Sequence, residues 1–194
     1  MRHAARLRSS FRIGRARRAV LTLRCTQRVR TRLRLAEQFP EAPASTGALG
    51  DWYVHLVRLG RSEFAIATSE RSLLTMLLPA RELRVSLVPN LCTSLRLLLE
   101  RLDVPDGQVS RELDAMQPVS FARATNRRVL GSMNDLAFQA SHHLAHGDDL
   151  AAVAERLAHT PLSAIGERPG HLDFPDMRAR ALLAARVALR NSLR

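Results

Sequence analysis

The stretch WYVHLVRLGRSEFAIATS, residues 52–69, decides the fold. Two runs rich in β-branched, aromatic and aliphatic residues, 52–59 and 63–69, flank the short turn Gly60-Arg61-Ser62. Runs of this length separated by a turn that contains glycine predict a β-hairpin, whose strands are antiparallel. The centre of the protein is therefore expected to be an antiparallel β-sheet.

Two further strands and a series of helices are predicted around this hairpin. Leu73–Leu78 follows it and Val20–Cys25 precedes it, which gives an antiparallel sheet of about four strands. Beyond the third strand, leucines recur at spacings of four, four, three and four, the pattern of an amphipathic helix: Leu87, Leu91, Leu95, Leu98 and Leu102. Strands followed by helices predict one α+β domain, with the helices covering one face of the sheet.

The region after this helix contains an unusual polar run, NRRVLGSMND, at 126–135. Ser132 and Asp135 have the spacing of a capping box, which predicts a helix that begins at Ser132 and ends near His146. The residues before this run, 118–125, are predicted to be irregular or to form a short extra strand.

Charge is distributed unevenly along the chain. The 194 residues carry a net charge of +12, and all 30 basic residues are arginine. Twelve of these arginines lie between Arg2 and Arg34, a segment without Asp or Glu, which leaves 30 − 12 = 18 arginines against 18 acidic residues elsewhere. We therefore expect an Arg-rich, disordered extension at 1–18 and a neutral α+β domain at 19–190.

Three interpretations of the extension remain open: a nucleic-acid-binding arm, a targeting peptide, or an upstream start codon chosen in a high-GC gene.

No window has the roughly 18 apolar residues of a transmembrane helix, so no membrane partner is expected. Cys25 and Cys92 lie far apart without a metal-binding spacing, which is typical of reduced thiols in a cytoplasmic protein.

The polar run at 126–135 is the first candidate site. Backbone N–H groups at a helix N-terminus attract anions, and Arg127 just upstream would help to hold a phosphate or a carboxylate. Asn126, Ser132, Asn134 and Asp135 would line such a site. The alternative is that these polar residues only cap the helix and close the preceding loop.

The second candidate is Gly50-Asp51-Trp52-Tyr53, which contains the only tryptophan and the only tyrosine. Trp52 and Tyr53 could stack on a base, with Asp51 as a hydrogen-bond acceptor. Against this, strand alternation sends the two rings to opposite faces of the sheet, which favours simple core packing.

Histidines form the third cluster. His142 and His146 lie four residues apart, as metal ligands on one helix can. The Glu of a metalloprotease helix is absent, and histidines near a helix C-terminus also suit its dipole. We therefore expect neither a metal nor a cofactor, and no nucleophile motif is present.

Four separated motifs resemble one family of short bacterial proteins known only as a domain of unknown function. The motifs are Leu23-Arg24-Cys25-Thr26, Leu49-Gly50-Asp51-Trp52-Tyr53, Ser69-Glu70-Arg71-Ser72-Leu73-Leu74 and the run at 126–135. The resemblance covers about 20–183 and implies no activity. The sequence departs from the family pattern at Arg128, where a small polar residue is expected, and at His55, where Asn is expected.

Three functional hypotheses follow from these residues. The first is a binding module for an anionic ligand, which would be a nucleotide, a nucleic acid or an acidic partner, held near Arg127 and Ser132. The second is a hydrolase acting on a phosphoester or an amide through Asp51 and Asp135, with Arg24 or Arg127 stabilising the transition state. The third is a protein–protein interaction or self-association module that uses the leucine-rich helix.

Overall fold

The computed structural model of the protein describes residues 20–36, 42–81, 83–165 and 172–191. The extension predicted at 1–18 lies outside the described residues. The elements in chain order are β1 (Leu21–Cys25), α1 (Gln27–Leu33), β2 (Trp52–Leu59), β3 (Ser62–Ser69), β4 (Thr75–Pro79), α2 (Leu83–Arg101), α3 (Asp106–Asp114), β5 (Val119–Arg123), α4 (Arg127–Ala145), α5 (Leu150–Ala158), a 3-10 turn (Ser163–Ile165) and α6 (Pro175–Asn191).

These elements form one α+β domain around a five-stranded sheet with the order β4-β3-β2-β1-β5. The predicted hairpin is confirmed, because β2, β3 and β4 pair as an antiparallel meander. The sheet as a whole is mixed rather than antiparallel, since β1 runs parallel to both β2 and β5. Parallel neighbours require long crossover connections, and here α1 with its following loop, and then α2 with α3, supply them.

Both faces of the sheet are buried, where the sequence predicted helices on one face only. On β2, Trp52, Val54 and Leu56 point to one face and Tyr53 points to the other, and all four are buried. Helix α4 packs on β2 and β3, while α2 and α5 both contact β4. Both faces of the sheet are therefore covered by the rest of the chain.

The N-cap of helix α4 lies six residues earlier than the capping-box pattern predicted. Its N-cap is Asn126, whose Oδ1 accepts hydrogen bonds from the backbone N–H groups of Arg128 (3.1 Å) and Val129 (3.4 Å). The prediction of Ser132 as the cap is wrong, because Ser132 is buried in the helix and its Oγ donates to the carbonyl of Arg128. Asn and Ser are similarly favoured as N-caps, so residue type alone does not choose between Asn126 and Ser132. With Asn126 as the cap, the first turn of the helix includes Val129, whose side chain is buried in the core.

Helix α2 continues through a proline, Pro89. It begins at Leu83, so Pro89 lies inside the helix rather than in its first turn. The described part of the chain includes no helix that combines the length and the apolar character needed to cross a membrane.

Candidate functional site

An ion pair between β1 and the start of β2 anchors the candidate site. Arg24 Nε donates to Asp51 Oδ2 at 2.6 Å, and Asp51 Oδ1 accepts from the backbone N–H of Ser45 at 2.7 Å. Asp51 is buried, with 2% of its surface exposed. Burial alone would lower the pKa of Arg24, but the hydrogen bond and the charge of Asp51 outweigh it and raise that pKa above its ordinary value.

Tyr53 continues this network toward α4. It lies beside Arg24 in the strand register, and the Arg24 guanidinium carbon is 6.0 Å from the centre of its ring. The Tyr53 hydroxyl donates to Glu70 Oε1 at 3.5 Å, and Asn126 Nδ2 donates to the same oxygen at 3.3 Å. Burial, reinforced by the nearby charge of Glu70, raises the pKa of Tyr53 to about 12, so its hydroxyl keeps its proton at neutral pH.

All four sequence motifs therefore meet in one connected set of contacts, which we call the motif network: Arg24, Asp51, Tyr53, Glu70 and Asn126. The sequence prediction included every member except Glu70. This residue lies in the third motif. The sequence of a turn does not indicate which groups its carboxylate contacts, because those contacts depend on how the turn packs against β2 and α4.

The turn that carries Glu70 is fixed by its own hydroxyl groups. Ser69 Oγ donates to the carbonyl of Leu49 at 2.8 Å and lies 2.9 Å from Ser72 Oγ. Leu73 adopts the left-handed conformation, with φ of 56°, while its side chain stays buried. This arrangement holds half-buried Glu70 and exposed Arg71 in a defined orientation.

A polar pocket of about 250 Å³ opens beside the motif network at the N-terminus of α4. We call it the α4 pocket; its polar lining residues are Glu70, Arg71, Asn126, Arg128 and Arg178. Leu73, Val129, Ile165 and Leu182 form the rest of its wall.

Gly50 permits the position of Arg71 at this pocket. Its φ of +79° is a conformation that other residues rarely adopt, and a Cβ atom there would lie 2.9 Å from Arg71 Cγ. Arg71 passes over this glycine and donates from Nη1 to the carbonyl of Ala48 at 3.4 Å. The glycine of the second motif therefore positions the arginine of the third.

The remaining predicted site residues lie elsewhere. Arg127 is exposed but is not one of the residues that line the α4 pocket, whereas its neighbour Arg128 is. Asn134 and Asp135 lie on the exposed side of α4. Trp52 is 1% exposed and packs in the core on the face opposite Tyr53, so its ring is covered by protein.

The histidine cluster lies at the other end of α4. The rings of His142 and His146 are 4.4 Å apart, and His143 Nδ1 is 3.6 Å from Asp148 Oδ2. Within the residues that the structure describes, no group of three or more His, Cys, Asp or Glu side chains is placed to hold a metal ion.

Comparison with known proteins places the chain in a family. No curated protein and no solved structure matches it significantly. One family model, "Domain of unknown function (DUF6933)", matches residues 22–177. This match covers β1 from its second residue, the other four strands in full and most of the helical region, and it includes every residue of the motif network. The chain therefore belongs to the DUF6933 family of domains of unknown function.

Proposed function

We propose that this protein is a binding module for a small anionic ligand, a phosphate- or carboxylate-bearing molecule of nucleotide size, held in the α4 pocket. The observation that carries the proposal is the lining of this pocket, in which Arg71, Arg128 and Arg178 accompany one carboxylate, Glu70. Guanidinium groups bind phosphate and carboxylate oxygens in pairs, which gives both attraction and orientation.

The arginine side chains, rather than the helix backbone, would supply most of the binding. The backbone N–H groups of Arg128 and Val129, in the first turn of α4, already donate to the side-chain oxygen of Asn126. The helix dipole still favours an anion near this end. Glu70, held by Tyr53 and Asn126, suits a hydroxyl or amine donor on the same ligand.

The geometry supports this hypothesis better than the hydrolase. In the hydrolase, Asp51 and Asp135 would act on one substrate. Asp51 is buried and accepts from Arg24 and Ser45, while Asp135 lies on the exposed side of α4. Because the Asp51 carboxylate is buried and paired with Arg24, a structural role suits it better than a catalytic one.

Self-association through α2 is the second candidate function, and one observation favours it. Leu97 is 50% exposed and lines an apolar pocket together with Leu77 and Leu98. Leu99, two residues further along the same helix, is buried in the core. Light scattering after size-exclusion chromatography would reveal a dimer that Leu97→Ser weakens if this surface self-associates.

Titration with a fluorescent nucleotide and with inorganic phosphate over a salt series tests the proposed ligand class. We expect Arg128→Ala to weaken binding at least tenfold, because it removes one of the cations that line the pocket. Arg127→Ala is the matched control, since it removes a charge that is also exposed, one residue away and outside the lining. The proposal fails if the protein binds neither probe at low salt, or if both variants lose affinity equally.

A further inference from the structure

Two adjoining cavities lie at the opposite end of β3 from the α4 pocket. Their volumes are about 570 Å³ and about 510 Å³, and both are lined by Arg32 and Ala80. Together they form what we call the hairpin groove, between the β2–β3 turn, the end of β4 and the start of α2. β3 begins at this groove with Ser62 and ends near the α4 pocket with Ser69, so about 24 Å of strand separates the two sites.

The hairpin groove is strongly basic. Arg32, Arg61, Arg81 and Arg84 all line it, and all four are exposed. Among the described residues that line it, Glu63 is the one acid, and it pairs with Arg32. The groove therefore presents three arginines whose charge no acid in its described lining offsets, which favours a ligand that carries several negative charges.

Aliphatic side chains lie between these arginines. Val85 is 76% exposed, and half-buried Leu59 and Leu150 form part of the wall. The one aromatic side chain in the described lining, Phe64, is buried, with 4% of its surface exposed. Sites for single-stranded nucleic acid combine cations with exposed aromatic rings for base stacking, whereas peptide sites combine arginine with apolar contacts.

We propose that the hairpin groove binds an acidic peptide segment of a partner protein, one in which aliphatic side chains alternate with carboxylates. The arginines would pair with the carboxylates, and Val85 and Leu59 would receive the aliphatic groups. This inference is independent of the proposed function, because the two sites share no lining residue and lie at opposite ends of the strand.

The test is fluorescence anisotropy of the full chain with three labelled probes: a 12-residue peptide of alternating Glu and Leu, a peptide of Glu alone, and a single-stranded DNA 12-mer. We expect the Glu–Leu peptide to bind most tightly and Arg81→Glu/Arg84→Glu to weaken it at least tenfold. Acidic residues at a helix N-terminus are favourable, so this double variant should fold at least as well as the parent. We expect Val85→Ser to weaken only the Glu–Leu peptide.

Two controls distinguish binding in the hairpin groove from a general effect of net charge and from binding in the α4 pocket. Arg96→Glu/Arg111→Glu changes the net charge by the same amount at exposed positions outside the groove and should change affinity less than twofold. Arg128→Ala, which tests the α4 pocket, should also leave peptide binding unchanged. The proposal is overturned if no peptide binds, if both charge-reversal pairs have equal effects, or if the DNA binds more tightly than the Glu–Leu peptide.

Discussion

His55 connects folding stability to pH at the scale of a single residue. It lies half-buried on β2, with Nδ1 3.2 Å from Thr26 Oγ1. Burial, assisted by the charge of Arg28, lowers the pKa of His55 below its ordinary value. The unfolded chain therefore binds the proton more tightly than the folded one, so this residue reduces stability as the pH falls below about 6.5.

We predict that His55→Asn removes this component of the pH dependence. Asn is the residue that the family pattern leads us to expect at this position, and it has no proton to gain. Urea unfolding at pH 7.5 and pH 5.5 provides the measurement, with the parent losing more stability than the variant on acidification. An equal loss in both proteins would show that His55 does not contribute.

At the scale of one element, the N-terminus of α4 depends on its cap. Asn126 accepts from two backbone N–H groups of the first turn and donates to Glu70. We predict that Asn126→Ala lowers the free energy of unfolding by about 0.5–2 kcal/mol, the usual loss for an N-cap. Chemical denaturation measures this change.

Ser132→Ala is the matched control for this prediction. Ser132 makes one hydrogen bond, to the carbonyl of Arg128 within the same helix, and Ala has the higher helix propensity. We expect a change within about 0.5 kcal/mol. A larger loss at Ser132 than at Asn126 would mean that the helix begins where the capping-box pattern placed it.

At the scale of the whole molecule, Glu112 on α3 joins three parts of the fold. Its buried carboxylate accepts from the backbone N–H groups of Ala48 (2.6 Å) and Leu49 (3.0 Å), and from Arg186 Nη1 of α6 (3.1 Å). Gly47 lies so close that a Cβ atom there would meet Glu112 Oε1 at 2.4 Å. The loop before β2, which carries Asp51, is therefore held in place from outside the sheet.

We predict that Glu112→Ala lowers the free energy of unfolding by about 3–5 kcal/mol, because two amides and a partly buried guanidinium lose their acceptor. Asp114→Ala, at an exposed position on the same helix, should change it by less than about 0.5 kcal/mol. Urea unfolding curves decide between these values. A similar small effect at both positions would show that Glu112 does not hold the loop.

A deletion series tests where the folding unit begins. Residues 1–18 contain seven arginines and no acidic residue, whereas β1 buries Leu21 and pairs with β5. We predict that removing 1–18 changes the melting temperature by only a few degrees, because roughly 1 kcal/mol corresponds to about 2–4 °C at this size. Removing residues through Thr22 should prevent folding. Circular dichroism measures the helical content and the melting temperature of both truncated proteins. A large loss from the shorter deletion would contradict the boundary.

The sequence by itself determined the features that depend on neighbours along the chain. The β2–β3 hairpin follows from the turn at Gly60 and the two apolar runs beside it. The buried side of α2 follows from the spacing of leucines such as Leu91 and Leu95. Four of the five residues of the motif network were also candidates from the sequence alone. They stand in unusual runs of polar residues, which can be recognised without knowing what each residue contacts.

Only the tertiary structure decided which distant groups meet. The direction of β1 relative to its neighbours depends on how the chain returns after α1 and after α3, which no local pattern encodes. Glu70 became part of the candidate site because its turn packs against Tyr53 and Asn126. Arg128 rather than Arg127 lines the α4 pocket because successive residues on a helix point about 100° apart, so the rotation of α4 on the sheet selects between them.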